Sequence, residues 1–145
     1  MFKGKNVIIT GGSSGLGEEL ACRLAAKGAN LALVARNQAK LGFVLEKIQS
    51  INNYQIKSKA FQNDVCEFES VEQTAKKIAE TMGVPDILIN SAGILNENYF
   101  EEHTTDAFKE VMDTNFFGTL YWIKAVLPYF KTKGKGRVVN ICSML

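Results

Sequence analysis

Five short apolar runs punctuate the chain, and between them apolar residues recur every three or four positions. The short runs are Asn6 to Thr10, Asn30 to Ala35, Ile56 to Phe61, Asp86 to Asn90 and Arg137 to Cys142, and their β-formers predict strands. The longer stretches predict helices. Leu16, Leu20 and Leu24 share a helical face with Ala21 and Ala25; Leu41, Val44, Leu45 and Ile48 form a second stripe; Val71, Ala75, Ile78 and Ala79 form a third. Ser70 followed by Gln73 has the spacing of a capping box and would open that third helix. A fourth helix is expected from Thr105 to Phe130, long and apolar on more than one face. Strand and helix alternating at this spacing predict a parallel sheet with right-handed crossovers, covered on both sides. That is the three-layer, doubly wound α/β class, here ending after a fifth strand.

Composition narrows this picture without redirecting it. Residues 1–145 suit one domain, which at this size buries about two thirds of its unfolded surface. Hydrophobic content of 46%, charged content of 22% and a net charge of +2 argue against disorder, nucleic-acid binding and membrane insertion. No apolar run is long enough for a signal-peptide core or a membrane span, so a soluble protein is expected. Cys22, Cys66 and Cys142 are an odd number with no C-x-x-C spacing, which points to a reducing cytoplasm and away from disulfides or zinc. No metal site is expected, and the lone His103 reads as a surface residue.

The chemistry is concentrated at the first strand–helix junction, N-V-I-I-T-G-G-S-S-G-L-G from Asn6 to Gly17. Gly11, Gly15 and Gly17 let the turn take unusual dihedrals, let backbone approach a ligand, and let the helix pack close to the strand. The free N–H groups and partial positive charge of the helix N-terminus then suit a pyrophosphate. Glu18 stands where a nucleotide triphosphatase would place its lysine, so a dinucleotide is favoured. A glycine turn of this kind also occurs as a purely structural feature. The second strand ends in Leu33-Val34-Ala35-Arg36, where an acid would bind the ribose hydroxyls of NAD. A guanidinium there can grip a 2′-phosphate, so NADP is preferred. Otherwise Arg36 merely begins a solvated turn. Ser13 and Asn37 could share the phosphate, with Lys40 a more distant candidate. Asp64, at a strand end, could accept from the adenine amino group or cap its own turn. Ala92 and Gly93 would let backbone lie against a ribose. Asn115 is a poor helix former within an apolar helix and asks for a reason.

Five motifs in order resemble the short-chain dehydrogenase/reductase family. They are T-G-x-x-x-G-x-G from Thr10 to Gly17, Asp64-Val65, N-x-A-G from Asn90 to Gly93, N-x-x-G from Asn115 to Gly118, and V-V-N-x-x-S from Val138 to Ser143. The resemblance implies a Rossmann domain binding NADP(H), with Thr10, Ser14, Leu16, Val65 and Asn90 joining the cofactor-binding residues named above. It implies that Ser143 hydrogen-bonds the substrate carbonyl and steadies its oxyanion, and that Asn115 supports a proton relay. Cys142 replaces a serine common in relatives and reads as a small packed side chain. The family's catalytic Y-x-x-x-K, expected shortly after Ser143, does not occur before Leu145. Tyr129 and Lys133 have that spacing, but the run from Asn115 to Tyr129 would carry them about 21 Å along a helix toward the opposite edge of the sheet. The exposed fifth strand and the aromatic fourth helix suggest a fragment of a longer enzyme that self-associates as a homo-oligomer. Two readings stay open. One is an NADPH-dependent reductase of a small-molecule carbonyl or alcohol substrate, in wording close to 3-ketosphinganine and 3-oxoacyl reductases. The other is a truncated, inactive dinucleotide-binding module.

Overall fold

The computed structural model describes residues 1–51 and 55–142. Five strands, β1 (Asn6–Thr10), β2 (Asn30–Ala35), β3 (Ser58–Gln62), β4 (Ile87–Asn90) and β5 (Arg137–Asn140), alternate with α1 (Gly15–Ala25), α2 (Gln38–Ile51), α3 (Phe68–Met82), α4 (Thr105–Met112) and α5 (Gly118–Lys133). All strand pairs are parallel, and the sheet order is β3-β2-β1-β4-β5. The order reverses at β1, so the crevice between β1 and β4 lies at the carboxyl ends of the strands, where open sheets of this class place ligands. Two cores cover the sheet. Ile8, Val34, Leu88 and Trp122 pack with α3 and α5 on one face; Val7, Ile9, Leu31 and Leu33 pack with α1 and α2 on the other. The doubly wound α/β class read from the sequence is therefore the observed one.

Five local expectations need correction. β3 begins at Ser58 rather than Ile56, because pairing with β2 starts at Leu31 opposite Ser58. α3 begins at Phe68, one turn before the expected start; Glu67 at its N-cap makes no side-chain cap, and the Ser70 hydroxyl accepts from Asn63 instead of closing a capping box. Leu16 leaves the apolar stripe of α1 and is 52% exposed, since it sits in the first turn above the sheet edge. Cys142, expected to pack, is exposed beyond β5, an edge strand with all four residues exposed. His103 is half-buried rather than at the surface, its ring 5.1 Å from that of Phe108.

The long fourth helix is interrupted. A π-helical turn at Asp113–Phe117 separates α4 from α5, and α5 runs on to Lys133. The Thr104 hydroxyl caps α4 by accepting from the Ala107 amide at 3.2 Å. The wider π turn reconciles two demands: Asn115 reaches the loop after β4, while Gly118 packs so close to Val65 that a Cβ there would lie 2.5 Å from Cγ2 of the valine.

At the amino ends of the strands, Asp86 ties the base of the sheet together. Its carboxylate accepts from the Asn6 amide at 2.9 Å and pairs with Lys133 at 2.8 Å and Lys5 at 3.5 Å. Burial alone would raise this carboxyl, but the Lys133 bond, the Asn6 amide and the two ammonium charges hold it below its ordinary value. A depressed folded pKa stabilises above the unfolded value, about 3.9, and that stability is lost as pH falls through the folded pKa. Asp86→Asn is expected to cost about 2 kcal/mol at pH 7, with the gap to wild type closing below about pH 4, as urea melts at the two pH values would show. The same contacts place Lys133 at the base of the sheet, away from the crevice, as the sequence geometry required of the Tyr129 and Lys133 pair.

Candidate functional site

A groove of about 530 Å³ opens at the carboxyl ends of β1, β2 and β3 and under the loop after β4. Its floor is the glycine turn. Gly11 has φ of +68°, and a Cβ on it would meet the Cα of Ala92 at 2.8 Å; a Cβ on Gly17 would lie 2.2 Å from the Gly11 carbonyl oxygen. Only glycine lets the turn, α1 and the β4 loop approach this closely. Ser14 occupies the N-cap of α1 without a side-chain cap bond, so the first N–H groups of that helix remain available to an anion. Glu18, the acid of that first turn, is matched by Lys47 of α2.

One wall is cationic. Arg36, Asn37 and Lys40 line the groove beside Ser13. Asn37 caps α2, its Oδ1 accepting from the Lys40 amide at 3.0 Å. Neither the Arg36 guanidinium nor the Lys40 ammonium has an ion-pair or hydrogen-bond partner among the described residues. The facing wall is Asp64 and Val65. Asp64 uses Oδ1 to accept from the Cys66 amide at 3.0 Å, so it does cap its own turn while lining the groove. Burial pushes the neighbouring Cys66 thiol above its usual value, opposed by its hydrogen bond with Thr114 and reinforced by the Asp64 charge. A thiol held protonated is a poor nucleophile.

The roof is the loop after β4, with Ala92, Gly93 and Ile94. The buried Thr10 hydroxyl holds that loop by accepting from the amides of Ser91 and Ala92, both at 3.2 Å. Asn115 holds its far side: Oδ1 accepts from the Ile94 amide at 2.8 Å and Nδ2 donates to the Ile94 carbonyl at 2.9 Å. Asn90 pairs across the sheet, donating to Asn140 at 2.9 Å. These asparagines and Thr10 act on the groove through backbone they fix. Asn115→Ala should release the Ile94 amide, speeding its hydrogen exchange about tenfold while distant β1 amides keep their rates.

Of the residues expected from sequence, Gly11, Ser13, Ser14, Arg36, Asn37, Asp64, Val65, Ala92 and Gly93 line one groove. Thr10, Gly15, Leu16, Gly17, Asn90 and Asn115 do not line it, although Gly17, Thr10 and Asn115 shape it. Ser143 lies outside the described residues. Sequence reading missed Ala35, Asn63, Ile94 and Thr114, which also line it. Each adjoins a residue that was singled out, and that adjacency was the available signal. Among the described residues, no group of His, Cys, Asp or Glu could hold a metal ion, and no helix is long and apolar enough to cross a membrane.

A glycine-floored groove at the β1 switch point is shared by several nucleotide-binding lineages, so comparison with known proteins decides between them. A sequence profile of the short chain dehydrogenase family matches residues 5–145. The chain belongs to the short-chain dehydrogenase family. It is 36% identical over 140 residues to an uncharacterised oxidoreductase of Staphylococcus saprophyticus, covering 97% of this chain and 59% of that protein. A 3-dehydrosphinganine reductase of Danio rerio is 33% identical over 144 residues, covering 98% of this chain and 43% of the relative. The chain thus spans about half the length of the curated relatives it matches. Among solved structures, an actinorhodin polyketide ketoreductase with NADPH aligns with a TM-score of 0.90 at 27% identity, over 97% of this chain and 53% of that one. An NAD+-bound xylitol dehydrogenase aligns with a TM-score of 0.93 at 28% identity, over 99% and 54%. Family membership establishes an oxidoreductase lineage built on a Rossmann sheet.

Proposed function

We propose that this chain is the NADP(H)-binding domain of a short-chain oxidoreductase that interconverts a carbonyl and an alcohol. The observation that carries the choice of coenzyme is Arg36. It stands at the end of β2, where an NAD-selective site would need an acid, and it borders the groove with an unpartnered charge beside Lys40. The groove fits the coenzyme class on its own features: a floor that no Cβ could enter at Gly11 or Gly17, and a helix N-terminus left uncapped by its serine.

In this reading, Gly11, Ser14, Gly15, Leu16 and Gly17 present main-chain amides to the pyrophosphate, and Arg36, Ser13 and Asn37 hold the 2′-phosphate with help from Lys40. Asp64 and Val65 border the adenine, while Ala92 and Gly93, fixed by Thr10, Asn90 and Asn115, leave room for a ribose. When bound, the reduced nicotinamide supplies hydride. Ser143 would donate a hydrogen bond to the carbonyl oxygen as negative charge develops there. A cytoplasmic setting suits three cysteines without a disulfide pattern. Exposed Phe116, Leu120 and Leu127 on the π turn and α5, with the exposed β5 edge, support assembly as a homo-oligomer. The 3-dehydrosphinganine reductase among the relatives makes long-chain 3-keto lipids the first substrates to try.

Fluorescence titration with NADPH and NADH tests the coenzyme, and tighter binding of NADPH is expected. Absence of binding by folded protein would overturn the reading. Oxidation of NADPH in the presence of long-chain or short keto substrates tests the reaction. Binding without turnover on any of them would favour a dinucleotide-binding module.

A further inference from the structure

We propose that Asn63 is a positioning residue for coenzyme selection: it sets the spacing between Asp64 and Arg36, the two walls of the groove. The inference deepens the dinucleotide reading and rests on it. Asn63 is 4% exposed at the end of β3, and it ties that end to two other elements. Its backbone amide donates to the Ala35 carbonyl at 3.0 Å, one residue before Arg36. Its Nδ2 donates to the Ser70 hydroxyl at 2.9 Å and the Thr74 hydroxyl at 3.2 Å, which lie one turn apart on α3. Gln62 adds a second clamp on the same corner, donating from Nε2 to the Arg36 carbonyl at 3.0 Å.

The amide orientation follows from its neighbours. Thr74 spends its proton on the Ser70 carbonyl at 2.8 Å, so a reversed amide, with its oxygen toward the two hydroxyls, could accept from Ser70 alone. The observed orientation makes two bonds. It leaves Oδ1 buried without a partner among the described residues, a desolvation cost that an apolar side chain would avoid. What the amide adds over an apolar residue is direction. It fixes the turn that carries Asp64 and Val65 relative to α3, while the backbone N–H, which any residue but proline keeps, ties the same turn to Ala35 beside Arg36. The adenine and the 2′-phosphate are joined through one ribose, so they meet both walls only at one spacing. Relaxing that spacing should weaken the grip on the phosphate more than binding of the rest of the molecule.

Titration of the chain with NADPH and NADH, in wild type, Asn63→Leu and Thr74→Val, reads this directly. Thr74 does not line the groove, and its hydroxyl reaches the coenzyme only through Asn63. Asn63→Leu is expected to weaken NADPH about tenfold and NADH about threefold or less, so the preference between them falls. Thr74→Val should shift the preference in the same direction by about twofold, and it decides the matter if the leucine variant does not fold. Equal losses for both coenzymes, or an unchanged preference in folded Thr74→Val, would overturn this inference alone. If the folded wild-type chain bound neither coenzyme, the dinucleotide reading would fall and this inference with it.

Discussion

Replacing Arg36 by aspartate should reverse the coenzyme preference, weakening NADPH by about a hundredfold while strengthening NADH severalfold. The guanidinium is exposed at the end of β2, and its backbone carbonyl is clamped by Gln62. The position is rigid while the side chain is free, so substitution changes the charge presented to the groove without disturbing the fold. Each charge-assisted bond to a phosphate is worth about 1.5–3 kcal/mol, and a carboxylate adds repulsion of the dianion to the loss of that bond. In exchange, it can accept from the ribose hydroxyls of NAD. Lys40 and Asn37 remain in place, so some affinity for the phosphate should survive. The melting temperature should move little, which separates this effect from damage to the fold. Parallel titrations with both coenzymes measure it, and an unchanged ratio would remove Arg36 from its assigned role.

The parts of the site that were legible in the sequence are those that main-chain geometry imposes locally. β1 and β2 run over the residues that the apolar pattern gave them, because buried parallel strands read as continuous β-branched and aliphatic runs. The glycine turn and Arg36 follow at fixed offsets from those strands. What was not legible depends on partners outside the segment whose pattern is being read. Ser70 and Gln73 have capping-box spacing, but Asn63 arrives from β3 and claims the Ser70 hydroxyl, a competition that no local pattern announces. The π turn shifts the helical phase by one residue between α4 and α5. A periodicity search absorbs that shift into one long helix, because aromatic residues on both sides keep the stretch apolar throughout. Asn115 was noticed as an anomaly in its helix, but its partner, the backbone of Ile94, is unrelated to it in local sequence.

The other large effect is expected from a single methyl group. Gly17→Ala places a Cβ 2.2 Å from the Gly11 carbonyl oxygen and 2.8 Å from its carbon, contacts with backbone that no side-chain rotation relieves. Either α1 moves off the sheet or the turn opens. Both responses disturb the amides that face the groove, so the same substitution should cost about 3 kcal/mol of stability and weaken NADPH binding at least about tenfold. Gly42→Ala is the matching control. Gly42 lies within α2 with open space where its Cβ would go, so the same chemical change should add about 0.5–1 kcal/mol there by restraining the unfolded chain and favouring helix. Opposite signs at the two positions, read by thermal melts alongside NADPH titration, would show that close approach of backbone governs this junction. A Gly17→Ala variant with wild-type melting and binding would mean that the turn holds no ligand against its main chain.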